Sequence, residues 1–63
     1  MTSSPVLQIT PTPLGKWHVQ RNDDPRPLSE HNSATEAERE ARKTGARQID
    51  VRDRYGRVRL VRI

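Results

Sequence analysis

The 63-residue sequence has no cysteine and no phenylalanine. Without cysteine there is no disulfide, no thiolate nucleophile and no sulfur-ligated metal, so nothing covalent staples so short a chain. Trp17 and Tyr55 are its two aromatic residues, which leaves little material for the stacking platforms of single-strand nucleic-acid readers. No apolar run approaches the roughly 18 residues of a membrane span, and no membrane partner is expected. Met1-Thr2-Ser3-Ser4-Pro5 lacks a basic segment followed by an apolar stretch. A secretory signal is therefore not expected, and the expected location is the cytoplasm.

Catalytic patterns are missing as well. There is no glycine-rich phosphate loop, no nucleophile elbow and no Ser/His/Asp order. His18 and His31 are thirteen positions apart, which fits neither a helical pair nor a zinc spacing. Asp23 and Asp24 fall in a turn, where aspartate is favoured for backbone reasons. A chain of this length also struggles to enclose a water-excluding pocket. The sequence is read as non-enzymatic, with no cofactor and no metal.

What is present is patterned. Residues 1–45 carry six bases and six acids. Residues 46–63 carry six arginines (Arg47, Arg52, Arg54, Arg57, Arg59, Arg62) against Asp50 and Asp53, so the whole net charge of +4 lies there. A short tail is expected over 1–5 and one domain over 6–63. Leu7 and Ile9 alternate in a first strand candidate that Pro11-Thr12-Pro13 ends. Trp17 and Val19 alternate with Lys16, His18 and Gln20, which predicts a second strand with Trp17 as the main core anchor. The 22–27 stretch is a loop with two prolines, and 28–31 is a brief edge strand. Ser33-Ala34-Thr35-Glu36 matches a capping box. It starts a helix over about 34–44 whose inward face is Ala34, Ala37 and Ala41, with Gly45 just beyond its end. Arg42 and Lys43 near that end complement the helix dipole.

The last eighteen residues read as a β-hairpin. Strands are expected over roughly 47–52 and 57–62, joined by Asp53-Arg54-Tyr55-Gly56. Ile49, Val51, Val58 and Leu60 are expected to face the helix. Asp50, Arg52, Arg57 and Arg59 then project outward, sharing that face with Lys16, His18 and Gln20. Period-two alternation puts Val61 and Ile63 on the polar face; unless a bulge re-aims them, they form an apolar strip open to a partner or a second copy. The fold class is α+β: a small, largely antiparallel sheet from two β-hairpins, with one helix on one face.

This order of signals resembles a family of short bacterial proteins catalogued as domain of unknown function 2188. The residues that carry the resemblance are Gly15-Lys16-Trp17-His18-Val19, Ser33 with Ala37 and Ala41, then Gly45, Ile49-x-Val51 and Gly56-Arg57-Val58-Arg59. They span about residues 6–60. The family more often has Thr at the place of Ser33 and bulkier residues inside its helix. The resemblance implies the same fold and a bacterial origin, and it transfers no activity.

The leading functional reading is a small binding or protein-interaction module with an arginine-rich hairpin, its partner another protein or a second copy. The alternative is DNA or RNA binding through the basic sheet face. In that reading Arg52, Arg57, Arg59 and Lys16 meet phosphate, His18 and Gln20 share the surface, and Tyr55 stacks.

Overall fold

Five short runs of alternating side chains become strands, and one alanine-faced run becomes a helix. A computed structural model describes residues 6–63, and the tail expected over 1–5 lies outside the described residues. The elements in chain order are β1 (Val6–Pro11), β2 (Trp17–Arg21), β3 (Pro27–His31), α1 (Ala34–Lys43), β4 (Gln48–Arg52) and β5 (Val58–Arg62). They form a five-stranded sheet in the order β3-β2-β1-β4-β5. Pairing is antiparallel except at the centre, where β1 and β4 run parallel with Leu7 opposite Ile49 and Ile9 opposite Val51. The expected hairpins are both present, and β3 extends the first into a three-stranded meander. No helix among the described residues is long and apolar enough to cross a membrane.

The central strands explain the core. Leu7, Ile9, Val19 and Ile49 are its largest fully buried side chains, joined by Val51, Ala37, Ala41 and Ala46. Leu7 and Ile9 alternate with Gln8 and Thr10, so one pleat of β1 points to the helix and the other to the open side of the sheet. The alanines let α1 lie close over β1, β2 and β3, with β4 at its margin. Trp17 differs from its expected part. It is half-buried and packs at the border of the core, whose centre is made by the four aliphatic residues. It opens β2 beside a turn, where only one side of the ring meets the interior.

The helix start follows the sequence. Ser33 has extended backbone, and its hydroxyl accepts the Glu36 N–H at 3.1 Å. The Glu36 carboxylate reaches back to the N–H of Asn32 at 3.4 Å, one residue before the position a capping box specifies. Thr44 ends the helix, with its N–H on the Ala41 carbonyl and Gly45 following.

Two turns share one design. In residues 12–16, the Thr12 N–H donates to the Lys16 carbonyl at 2.8 Å and the Gly15 N–H donates to the Thr12 carbonyl. In residues 53–57, the Asp53 N–H donates to the Arg57 carbonyl at 3.0 Å and the Gly56 N–H to the Asp53 carbonyl. Gly15 and Gly56 both have φ of 82°, and an added Cβ would meet no atom within 4 Å at either. The left-handed backbone, not crowding, is what calls for glycine. This is the three-residue hairpin loop that ends in a glycine bulge.

The second of these turns overturns one expectation. A four-residue link over 53–56 would pair Arg52 with Arg57 and turn Val58 and Leu60 inward. The observed link holds Arg57 as well, so Arg52 faces Val58, Ile49 faces Val61 and Val51 faces Arg59. Asp53 fixes this length, because its carboxylate accepts the N–H groups of both Tyr55 and Arg57, at 2.8 and 2.9 Å. One extra residue sends every side chain of β5 to the opposite face. Val61 therefore packs against the core, while Val58 and Leu60 lie on the open side.

Candidate interaction edge

The residues expected to form one basic face are distributed over three places. Arg52, His18 and Gln20 lie on the open side of the sheet by register. Arg59 does not. It stands on the helix side opposite Val51 and donates from Nη2 to Glu38 Oε1 of α1 at 2.6 Å. Arg57, Lys16 and Tyr55 belong to the two turns at one end of the sheet, beyond its faces. The single face carrying Arg52, Arg57 and Arg59 is thus corrected by the same one-residue change in turn length.

Much of the open side is already hydrogen-bonded within itself. His18 Nε2 lies 2.9 Å from Glu30 Oε2 across β2 and β3. Gln8 donates to Asn22, and Gln48 donates to Asp50 at 3.0 Å. On the helix side, opposite Trp17 and Val19, His31 pairs with the Ser29 hydroxyl at 2.8 Å. Lys16 donates to Asn32. Asp24 accepts the Arg26 backbone N–H and its guanidinium, and these bonds hold its carboxyl below the usual aspartate range. The described residues contain no group of three or more potential metal ligands. A shallow depression on α1, lined by Thr35, Glu38, Arg39 and Arg42, is open to solvent.

The turn end of the sheet is tied by Arg54. Its Nη1 donates to the Thr12 carbonyl at 3.2 Å, and its guanidinium carbon lies 5.8 Å from the centre of the Trp17 ring. Leu14 and Tyr55 occupy the same position in their respective turns, and each is 88% exposed.

The two edges of the sheet are built differently. At the β3 edge the ladder begins with Pro27, which has no N–H, and its register shifts between Val19 and Gln20. Both features discourage another strand from pairing there. At the β5 edge the register runs without a shift from Arg52–Val58 to Gln48–Arg62. The bonds from Asp53 N–H to Arg57 carbonyl and from Ile63 N–H to Arg47 carbonyl set the phase of that ladder. Arg57, Arg59, Val61 and Ile63 direct their backbone groups toward β4. Val58, Leu60 and Arg62 direct theirs away from the sheet. Their side chains are also exposed: Val58 is 52%, Leu60 57%, and nearby Ile63 59% accessible.

Sequence reasoning singled out this hairpin but not its edge. It also located the apolar strip at Val61 and Ile63, whereas the exposed apolar residues of β5 and just beyond it are Val58, Leu60 and Ile63. The signal that distinguishes them is the double use of the Asp53 carboxylate, which counts Arg57 into the turn. No family model, no curated protein and no solved structure matches the chain.

Proposed function

We propose that this protein is a non-enzymatic interaction module that binds a protein partner by accepting an extended strand along β5. One observation carries the reading: β5 is a regular edge whose outward N–H and C=O groups belong to Val58, Leu60 and Arg62, with exposed apolar side chains beside them. A partner strand would satisfy those groups and cover Val58 and Leu60, combining main-chain bonds for affinity with side-chain pairing for selectivity.

Leu60→Pro tests this. The Leu60 N–H points away from β4, so proline there removes an outward donor without removing a bond of the β4–β5 ladder. The variant is expected to keep its fold, by circular dichroism and amide shifts, and to lose strand binding. Binding unchanged in the folded variant would move the interaction site elsewhere on the molecule.

A further inference from the structure

We infer that the strand accepted by β5 is an acidic, apolar-rich extended segment of another protein; the inference rests on the strand-addition reading and names its partner. The hairpin bearing this edge lies within the region that holds all of the chain's net positive charge. Among the described residues, Arg52, Arg54, Arg57 and Arg62 form no ion pair with a carboxylate, whereas Arg59 has Glu38. Arg62 stands on the edge strand itself, Arg52 lies across from Val58, and Arg57 enters the strand from the turn. The edge therefore offers main-chain bonds, an apolar pair and a surplus of guanidinium groups.

Three occupants can be compared on those terms. A second copy would supply main-chain bonds and apolar contact, but it would bring two arginine-rich hairpins together, and like charges in proximity oppose association. A nucleic acid would meet the arginines, but its phosphates make no use of strand carbonyls or of exposed Val58 and Leu60. An acidic strand uses all three features. In antiparallel register its complement to residues 58–62, written from its own N-terminus, is acid, apolar, apolar, acid, apolar. The acids then face Arg62 and Arg59, and the apolar residues face Val61, Leu60 and Val58. Carboxylates need not displace Glu38, since Arg59 is a forked donor with more N–H groups than one carboxylate oxygen uses.

The test uses the full chain and three synthetic peptides with the core Glu-Val-Val-Glu-Val, the same core with glutamine for glutamate, and the same core with lysine. Amide shifts and exchange of Val58, Leu60 and Arg62 report strand addition. The glutamate peptide is expected to protect these amides, and the glutamine peptide to bind about tenfold more weakly, as two exposed ion pairs allow. The lysine peptide is expected to be weakest, and added salt to narrow the series. Arg62→Glu, an exposed change, is expected to shift preference from the glutamate toward the lysine peptide.

Equal protection by the glutamate and glutamine peptides would overturn the acidic partner while supporting strand addition. Protection by none would overturn both. Concentration-dependent dimerisation in light scattering, with the β5 amides protected in the dimer, would assign the edge to a second copy. Displacement of the glutamate peptide by a short DNA duplex, with shifts at Arg52, Arg57 and Arg62, would assign the arginines to nucleic acid instead.

Discussion

Val61 stands directly opposite Ile49 across β4 and β5, and this pairing decides which side of β5 meets the core. Val61 is half-buried against the core cluster, while its neighbour Leu60 is turned to solvent. Truncating the two should have unequal effects despite their adjacency. Val61→Ala is expected to cost about 1 kcal/mol, the share of a valine's transfer energy that partial burial allows. Leu60→Ala is expected to stay within about 0.5 kcal/mol. Urea unfolding of both variants measures the difference. The reverse order would mean that the hairpin pairs in the other register.

Arg54 joins the two turns from its place on the second of them. It holds the Thr12 carbonyl and covers the outer side of Trp17. Arg54→Ala should lose both contacts and cost about 1 kcal/mol, the upper part of the range for an exposed cation–π pair. The tryptophan emission should also shift toward longer wavelength as water reaches the uncovered ring. Unchanged emission and stability would mean that Arg54 moves freely in solution.

Asp24 carries the acid-side pH dependence that the structure supports. The Arg26 backbone N–H, then the Arg26 guanidinium, lower its folded-state pKa. The unfolded state therefore binds the proton first on acidification. The stabilisation is fully present above the ordinary aspartate value near 3.8 and is lost as pH falls through the lower folded value. Asp24→Asn should flatten the stability profile in that acidic window. At neutral pH the variant should lose the stabilisation that the charged carboxylate draws from the Arg26 N–H and guanidinium, and at acid pH the two proteins should converge. Melting curves from pH 2 to pH 7 in both proteins, about one pH unit apart, check this.

The helix and the first hairpin were legible because each rests on local chemistry. Ser33 and Glu36 mark the helix start, the spacing of Ala37 and Ala41 marks its buried face, and Trp17 with Val19 sets the pleat of β2. Two further features depended on geometry that no short window contains. The parallel contact of β1 with β4 places Leu7 against Ile49 through a connection that includes two strands and a helix. The orientation of β5 turned on whether Arg57 belonged to the strand or to the turn, and both readings keep perfect alternation in Val58 and Leu60. A period of two carries no information about which side is inward once the turn length is unknown. The basic face dissolved for that reason. Arg59 went to the helix side and Val58 and Leu60 came to the open side, so the best functional signal changed from a charged face to a strand edge.

Amide hydrogen exchange along β5 in the free protein, measured over a range of protein concentrations, tests that edge most directly. Val61 and Ile63 direct their N–H groups into the β4 ladder, as does Arg59, while Val58, Leu60 and Arg62 direct theirs to solvent. The expected result is alternation: slow exchange at Arg59, Val61 and Ile63, fast exchange at Val58, Leu60 and Arg62, and the same pattern at every concentration. Slow exchange at all six residues, or protection in the opposite phase, would contradict an open β5 edge.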